Sequence, residues 1–332
     1  MYTEVILSIL ALLASFYLMG RIVDEYFIDA LDKIARKMNM SSDAAGATLM
    51  AMGSSAPELF IAIISIIKGF LDPGQGNESI GIGTIVGSAI FNVLVIVGAA
   101  AVARKALLAW KPVLRDMVAY SVSIGLLLWA FSDFQISMAE AAIFVGVYVI
   151  YVLFVVNWRK FVPEAELPYE DDNEDEPENY GGWRRVLKVM DKFVDAMFPK
   201  PQAYWGVFTA SIIYIAGLSW VLVESAVILA EAAEVPKALI GFTVLAVGTS
   251  IPDLMSSVIV AKQGRGGMAI SNSIGSNIFD ILIGLGLPWL ITLLITGEFV
   301  PVAAQNLFTS AIILFGSVIL VLMLFVVRKW KV

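Results

Sequence analysis

The chain has 332 residues with a formal net charge of −7 at pH 7, and 59% of them are hydrophobic while only 15% are charged. Its mean hydropathy is +0.84. A soluble domain carries about 25% charged residues, so this composition excludes a soluble globular protein. The absence of cysteine and histidine excludes disulfides, thiolate metal sites and imidazole ligands. The composition predicts an all-α protein that crosses the membrane several times.

Apolar runs close to the roughly 20 residues that a transmembrane helix needs recur along the chain. We number the nine predicted segments M1 to M9 in chain order: 4–30, 44–69, 79–103, 113–131, 137–157, 203–231, 238–261, 267–295 and 305–327. M1 and M6 end in polar, amphipathic turns, so tilted helices are expected there. We divide the chain into a first membrane half at 1–158, a central loop at 159–202 and a second membrane half at 203–332.

The central loop is strongly acidic in its first part. Nine acids lie in EAELPYEDDNEDEPEN (164–179), which leaves 20 acids against 22 Lys and Arg in the rest of the chain. Such a run cannot bury apolar surface and predicts a solvated linker, and it lacks the ligand spacing of an EF-hand loop. In residues 183–198, basic and apolar residues alternate at helical spacing, which predicts an amphipathic helix on the membrane surface.

Lysine and arginine are distributed unevenly between the predicted loops. If the N-terminus lies outside, the outer side keeps only Lys68 and Lys237, with Arg21 ambiguous, and the remaining basic residues lie on the cytoplasmic side. Cytoplasmic loops of membrane proteins carry such an excess. We therefore expect an integral protein of the plasma membrane with its N-terminus outside and its central loop in the cytoplasm.

The two halves share two motifs in the same order. GATLMAMGSSAPEL (46–59) aligns without a gap on GFTVLAVGTSIPDL (241–254), and GSAIFN (87–92) matches GSNIFD (275–280). We call the first pair the long motifs, in M2 and M7, and the second pair the short motifs, in M3 and M8. M7 follows M2 by five segments, an odd number, so the copies cross the membrane in opposite directions. This inverted repeat is typical of secondary transporters, whose substrate site lies near the midplane.

Each long motif places a proline and an acid inside a predicted helix. Pro57 and Pro252 have no N–H, and their rings clash with the carbonyl of a glycine four residues earlier. We therefore expect a helix break near the middle of the membrane, with the carbonyls around 51–53 and 246–248 released from the helical hydrogen bonds. Such backbone survives at that depth only where it lines a cavity or binds an ion.

Polar side chains one helical turn apart share a helix face in all four motifs. The pairs are Ser54 and Glu58, Thr249 and Asp253, Ser88 and Asn92, and Ser276 and Asp280. Serine and threonine alone could serve helix packing, but a carboxylate inside the membrane is functional by default. Oxygen ligands without nitrogen or sulfur predict a site for a hard cation, either Ca²⁺ or an alkali ion.

Other acids in the predicted helices lie nearer the helix ends. Asp29 and Glu224 occupy repeat-related positions where snorkelling to the interface explains them as well as function does. Asp116, Asp133 and Glu140 are expected at the membrane interface.

The motifs GSSAPELF, GTSIPDLMSS, GSAIFN and SIGSNIFD resemble the two alpha-repeats of the cation/calcium exchanger superfamily, specifically the sodium/calcium exchangers. The resemblance covers nearly the whole chain. It implies a secondary active antiporter that exchanges Na⁺ for Ca²⁺ by alternating access, and neither an enzyme nor a cofactor-dependent protein. The implied partners are these ions and the lipid bilayer, with no nucleic acid. The family has ten helices, so either a tenth is absent from this chain or the pattern is incomplete in this member.

The resemblance also implies the residues that bind the ions. In the first half they are Ala51, Ser54, Ser55, Glu58, Ser88 and Asn92. In the second half they are Ala246, Thr249, Ser250, Asp253, Ser276 and Asp280. Asp253 in place of glutamate, together with Asp280, is most similar to the potassium-dependent branch, where the acid matching Asp280 is associated with K⁺. Some microbial relatives carry an acid there without needing K⁺, so both readings stay open.

Two other functions remain as alternatives. A proton/calcium exchanger could use the same carboxylates, although the absence of histidine argues against the acid–histidine motif of that branch. A cation channel could use the acids as a selectivity ring, although inverted repeats with broken helices favour a transporter. Nothing in the sequence supports an enzyme, because it contains neither a nucleophile–base pair nor a phosphate-binding loop.

Overall fold

In the computed structural model, the described residues are 2–38, 40–72, 74–104, 108–162, 194–195, 197–199, 203–262, 264–297, 299–301 and 305–330. The predicted acidic linker (164–179) and most of the predicted surface helix (183–198) lie outside these residues. Within them the protein is helical apart from one pair of two-residue strands.

The described residues form nine helical segments, which keep the numbers M1 to M9. Seven are long and apolar enough to cross a membrane: Thr3–Ala35 (M1), Ser79–Ala103 (M3), Trp110–Ala130 (M4), Met138–Val156 (M5), Tyr204–Ala232 (M6), Lys237–Lys262 (M7) and Gly266–Thr296 (M8). M2 consists of Asp43–Ser54 and Ala56–Leu71, which are bent by 43° relative to each other. M9 is the helix Gln305–Val327. The predicted all-α polytopic membrane fold is confirmed.

Several segments combine short α-helices. The α-helices of the first half are Tyr2–Ile22, Ile28–Lys37, Ser42–Ala45, Ala51–Ser54, Ala56–Leu71, Glu78–Phe91, Val97–Ala103, Trp110–Ala130, Met138–Val156 and Trp158–Phe161. Those of the second half are Tyr204–Ala232, Lys237–Ile240, Ala246–Thr249, Ile251–Lys262, Gly266–Phe279, Gly286–Thr296 and Gln305–Val327. They are joined in places by π-helical turns at Val23–Phe27, Gly46–Met50, Asn92–Ile96, Gly241–Leu245 and Asp280–Leu285.

Four of the five π-helical turns in the described residues follow the internal repeat. The turns Gly46–Met50 and Gly241–Leu245 begin the two long motifs, while Asn92–Ile96 and Asp280–Leu285 end the two short motifs. Such turns are rare and are frequently found at functional sites. Each short motif therefore ends in a polar residue, Asn92 or Asp280, at the point where the helix widens.

Loops predicted on one side of the membrane contact each other. The Lys237 Nζ donates a hydrogen bond to Asn77 Oδ1 at 2.7 Å, which joins the M6–M7 loop to the M2–M3 loop. Strand β1 (Gln135–Ile136) pairs antiparallel with β2 (Val300–Pro301), which joins the M4–M5 and M8–M9 loops. On the other side, Arg104 donates to the Lys262 carbonyl at 2.9 Å. These contacts agree with segments that cross the membrane in alternating directions.

The two halves pack against each other through equivalent contacts, M2 on M8 and M3 on M7. A methyl group at Gly87 would meet the carbonyl oxygen of Phe242, and one at Gly275 would lie 2.5 Å from the carbonyl oxygen of Ala47. Both the glycines and their contact residues are repeat-related. Small residues allow this close approach of helices in membranes. The short motif of each half is thus pressed against the long motif of the other half.

Aromatic packing holds the second part of M8 against M4 and M5. The Trp289 ring lies edge-on between Phe131 and Phe144, with ring centroids 6.1 and 5.6 Å away. The equivalent end of M3 has no comparable aromatic packing among the described residues. Val102, at that end, is 88% exposed. M5 therefore has no counterpart in the described part of the second half, in agreement with the nine predicted segments.

The described end of the central loop attaches to M1 and M6, which pack along each other. The ring of Phe198 stacks on Tyr26 of M1 with a centroid distance of 3.8 Å, and the Tyr26 hydroxyl hydrogen-bonds Asp195. The Tyr214 hydroxyl of M6 donates to the Met197 carbonyl at 3.2 Å. This end of the loop therefore touches both segments.

Candidate cation-binding site

M2 and M7 are interrupted at repeat-related serines. Ser55 has φ −88° and ψ 4°, and Ser250 has φ −80° and ψ −1°. New helices start directly after them, with Glu58 and Asp253 in their first turns. Proline is well tolerated at the start of a helix because the first N–H groups have no helical partner. The positive end of the helix dipole also favours a carboxylate there, so each motif turns its acid into the junction between the halves.

The helix breaks release fewer carbonyls than the sequence predicts. The Ala51 carbonyl accepts the Ser55 N–H at 3.0 Å, and the Ala246 carbonyl accepts the Ser250 N–H at 3.3 Å. The prediction was wrong for these two groups because a tight turn, and not an extended stretch, joins the helices. Pro57 has no N–H for the Gly53 carbonyl. A carbonyl has two lone pairs, so Ala51 and Ala246 each keep an acceptor position.

Glu58 and Asp253 are fully buried where the two halves meet. Each lies near a hydroxyl of the opposite long motif: Thr249 is close to Glu58, and Ser54 is close to Asp253. Ser54 and Thr249 occupy equivalent positions of the repeat. Each half therefore places one hydroxyl beside the buried acid of the other half.

Each of these two hydroxyls also has a main-chain carbonyl of its own segment within hydrogen-bond distance. Ser54 Oγ donates to the Met50 carbonyl at 2.9 Å, and Thr249 Oγ1 donates to the Leu245 carbonyl at 3.0 Å. A hydroxyl has one proton to donate and two lone pairs. Each oxygen therefore has lone pairs left with which it can coordinate a cation beside the nearby carboxylate.

The serine of each short motif contacts the acid of its own half. Ser88 Oγ lies 3.4 Å from Glu58 Oε1, and Ser276 Oγ donates to Asp253 Oδ1 at 3.0 Å. Ser88 Oγ also lies 2.8 Å from the Ser250 hydroxyl. All of these side chains are fully buried.

Asn92 and Asp280 occupy equivalent positions but have different surroundings. Asn92 Nδ2 donates to Asp253 Oδ2 at 3.1 Å and to Asn277 Oδ1 at 3.0 Å. Neither carboxylate oxygen of the buried Asp280 has a hydrogen-bond partner among the described residues. Ser55 and Ser88 lie near Asp280, and Glu58 and Asp253 are close enough to repel it.

Several buried oxygens of the site lack a partner. In the described part of the chain they include Ser55 Oγ, Glu58 Oε2, Asn92 Oδ1 and both carboxylate oxygens of Asp280. Buried polar atoms are nearly always hydrogen-bonded, so a cluster of unpaired oxygens indicates a ligand position. The same residues contain no group of three acids close enough to hold one metal ion. The three carboxylates therefore share one cluster without converging on one point.

Two polar residues at the site were missed by the sequence analysis. Asn277 accepts from Asn92 and donates to the Ala89 carbonyl at 3.0 Å. Ser273 Oγ donates to the Asn92 carbonyl at 2.8 Å. Asn277 stands where the first short motif has Ala89, and this difference within the repeat is the signal that could have identified it.

Asp116, which the sequence analysis expects at the membrane interface, is fully buried among other segments of the protein. Arg115 Nε donates to Asp116 Oδ1 at 2.7 Å, and the Arg115 guanidinium also donates to Oδ2 at 3.0 Å. The Tyr151 hydroxyl lies 3.1 Å from Oδ1, and Ser271 Oγ lies 2.9 Å from Oδ2. Partners from M5 and M8 satisfy this carboxylate, and the sequence around Asp116 does not indicate them.

The other acids that the sequence analysis placed near helix ends form their contacts away from the site. Asp29 pairs with Lys33 at 2.6 Å on an exposed face, and Glu224 pairs with Lys68. Glu140 forms a capping box with Ser137 at the start of M5. Asp133 Oδ1 accepts the Gln135 N–H at 3.2 Å in an exposed turn.

Comparisons with known proteins give one consistent family. The family described as sodium/calcium exchanger protein matches residues 8–157 and 203–332. Human sodium/potassium/calcium exchanger 4 is 26% identical over 98% of this chain and 78% of its own length. Human sodium/potassium/calcium exchanger 5 is 30% identical over 86% of this chain and 70% of its own length. The structure of the sodium-calcium exchanger NCX_Mj aligns with a TM-score of 0.60 at 26% identity and covers 98% of this chain and 93% of that one.

Proposed function

This chain belongs to the sodium/calcium exchanger family, and we propose that the cluster around Glu58 and Asp253 binds the Na⁺ and Ca²⁺ that it exchanges. The observation that supports this site is its cluster of buried oxygens without a hydrogen-bond partner among the described residues, which includes Glu58 Oε2, Asn92 Oδ1 and both carboxylate oxygens of Asp280. Two acceptor oxygens in low dielectric repel each other. A cation between them turns the repulsion into coordination.

The proposed ligands are oxygen atoms of the four motifs. They belong to Ala51, Ser54, Ser55, Glu58, Ser88, Asn92, Ala246, Thr249, Ser250, Asp253, Ser276 and Asp280. Calcium takes 6–8 oxygens at about 2.3–2.6 Å in irregular geometry, which suits carboxylates mixed with hydroxyls and carbonyls. Na⁺ uses the same kinds of oxygen. The two ions therefore compete for shared ligands, as antiport requires.

The charge of the empty cluster explains why exchange does not become a leak. Glu58, Asp253 and Asp280 are buried without a lysine or arginine partner among the described residues. A buried unpaired carboxylate is strongly unfavourable. The closed state between the two openings is therefore accessible only when cations neutralise the cluster. A site that closes only when loaded exchanges one ion for another.

Potassium is proposed as a third transported ion. The relatives that match this chain include proteins named sodium/potassium/calcium exchangers, and Asp280 supplies an additional acid whose two oxygens have no hydrogen-bond partner among the described residues. We place K⁺ beside Asp280. A requirement of calcium flux for K⁺ tests this placement.

Calcium-45 uptake into proteoliposomes tests the function directly, with Na⁺, K⁺ and pH varied separately. We expect uptake driven by an outward Na⁺ gradient at clamped pH, and its loss in Glu58→Gln. Glu140→Gln is the matched control because Glu140 caps M5 away from the site. Uptake driven by a pH gradient at equal Na⁺ would identify a proton/calcium exchanger. Passive calcium flux without a counter-ion would identify a channel.

We propose a plasma-membrane location with the N-terminus outside and the central loop in the cytoplasm, on the basis of the Lys and Arg distribution. The chain has no cysteine, so single cysteines report sidedness without background. We expect Asp133→Cys in intact cells to react with a membrane-impermeant maleimide and Lys160→Cys to react only after permeabilisation. The reverse pattern would invert the proposed topology.

A further inference from the structure

Two tyrosines near the site have hydroxyls that packing does not explain. Tyr120 of M4 and Tyr148 of M5 are 0% and 5% exposed, and neither hydroxyl has a hydrogen-bond partner among the described residues. An unpaired buried hydroxyl costs about 1–3 kcal/mol. Phenylalanine would fill nearly the same volume without this cost, so the hydroxyls need another reason to be there.

Both rings pack near the π-helical turn that starts at Asp280, where M4 and M5 meet M8. The Tyr148 ring lies edge-on to Phe279 with a centroid distance of 5.5 Å. Among the charged groups of the described residues, Asp280 is the one that acts electrostatically on both hydroxyls, and Tyr120 also lies close to Asn277. Phe279 directly precedes Asp280, so Tyr148 packs beside the residue next to this carboxylate, and M4, which carries Tyr120, packs on the same turn.

Asp280 has polar neighbours from four other segments. Ser55 and Ser88 come from M2 and M3, while the two tyrosines come from M4 and M5. The repeat-related Asn92 instead has its amide nitrogen satisfied by Asp253 and Asn277. The nearby tyrosines thus distinguish Asp280 from Asn92, its equivalent in the first half.

The charges distinguish this place from the centre of the site. Glu58 and Asp253 together offer two negative charges, which matches a divalent ion. Asp280 with two phenol groups offers one negative charge and neutral oxygens, which matches a monovalent ion. A phenol hydroxyl has lone pairs that can coordinate a cation.

We propose that Tyr120 and Tyr148 are specificity-determining residues whose hydroxyls complete a monovalent-cation subsite at Asp280. In the loaded state their oxygens contribute ligands to the cation, and without a cation they stay without a hydrogen-bond partner among the described residues. This inference rests on the proposed function, since it assigns residues of M4 and M5 to the binding of one of the exchanged ions.

Phenylalanine variants of the full chain test the proposal by removing only the hydroxyls. The variants are Tyr120→Phe and Tyr148→Phe. The matched control is Tyr151→Phe, one turn further along M5, whose hydroxyl donates to Asp116 at 3.1 Å. Two measurements are made: the half-saturating K⁺ and Na⁺ concentrations for calcium-45 flux in proteoliposomes, and the melting temperature in detergent as K⁺, Na⁺ or Ca²⁺ is added.

In each tyrosine variant at the subsite we expect the half-saturating concentration of at least one monovalent ion to rise about tenfold, as the loss of one charge-assisted contact predicts. The half-saturating Ca²⁺ concentration should stay within about twofold. Without added cations, their melting temperatures should equal or exceed that of the wild type. Tyr151→Phe should melt lower and keep its ion requirements, because its hydroxyl is used inside the protein.

Unchanged monovalent requirements in both subsite variants would overturn the proposal, and so would an equal shift in Tyr151→Phe. A lower cation-free melting temperature would overturn it too, because the hydroxyls would then be bonded within the protein. The melting measurement keeps the two hypotheses apart. The wild type could show no sodium-driven calcium flux and still be stabilised against melting by a monovalent ion. If the phenylalanine variants lack that stabilisation, the proposed function fails and the subsite stands.

Discussion

The amide nitrogen of Asn92 in the first half donates to Asp253 Oδ2 in the second half at 3.1 Å. The same nitrogen lies 3.0 Å from Asn277 Oδ1, so one side chain of M3 joins two residues of the opposite half. Glutamine would lengthen this side chain, and aspartate would replace its amide with a negative charge. This bridge fixes one oxygen of Asp253 and leaves its other oxygen to Ser276.

We expect Asn92→Ala to weaken both folding and calcium binding. The substitution leaves buried acceptors on Asp253 and Asn277 without a donor, and each costs about 1–3 kcal/mol. The measurements are the melting temperature in detergent and the half-saturating Ca²⁺ concentration in proteoliposomes. Asn77→Ala is the control, since Asn77 bonds Lys237 in an outer loop, and its calcium affinity should not change. Wild-type calcium affinity in Asn92→Ala would contradict the bridging role.

We expect Asp253→Asn to be inactive in exchange and yet more stable than the wild type when no cations are present. The wild type buries Asp253 beside Glu58 and Asp280, and removing one of three like charges from low dielectric relieves repulsion. The check is thermal unfolding in cation-free detergent, followed by Ca²⁺ titration. The variant should begin at a higher melting temperature and gain less from Ca²⁺. A variant that melts lower without cations and responds normally to Ca²⁺ would contradict this account of the cluster.

We expect Gly87→Ala and Gly275→Ala to damage the packing of the two halves. In each case the added methyl meets a backbone carbonyl, of Phe242 or of Ala47, which cannot move without its helix. Overpacking of this kind costs about 1–3 kcal/mol. Gly98→Ala is the matched control, because nothing lies within 4 Å of a methyl group added there, and alanine favours the helix. The measurement is the melting temperature of the three variants in detergent. Equal melting temperatures in all of them would show that the two halves pack less closely than described.

We expect Asp116→Asn to be strongly destabilising although Asp116 lies outside the proposed site. The change leaves the buried Arg115 guanidinium without its counter-charge, and breaking a buried pair from one side costs about 3–5 kcal/mol. Asp133→Asn, in an exposed turn, should have little effect. The double variant Arg115→Met with Asp116→Leu should recover much of the loss, because it removes both buried charges. Failure of this rescue, measured by unfolding in detergent, would assign Asp116 a role beyond the ion pair.

Much of the architecture could be predicted because it is encoded locally. Hydropathy identifies each membrane segment from its own residues, and the paired motifs reveal the inverted repeat without any knowledge of packing. The positions of the helix breaks follow from Pro57 and Pro252, since a missing N–H acts within its own helix. The candidate residues of the site followed from the motifs in the same way, and the structure brings their side chains into one buried region.

The partners of these residues were decided only by the tertiary structure. Asn92 meets Asp253 across 161 positions of sequence, and Asp116 meets Ser271 across 155; such contacts depend on how the halves pack, which no local pattern records. For the same reason the sequence could not show that Ala51 keeps its helical hydrogen bond, that Asn277 belongs to the site or that Tyr120 and Tyr148 lie beside Asp280. Periodicity and motifs determine which groups enter the membrane, whereas the packing of helices from opposite halves determines which of those groups meet.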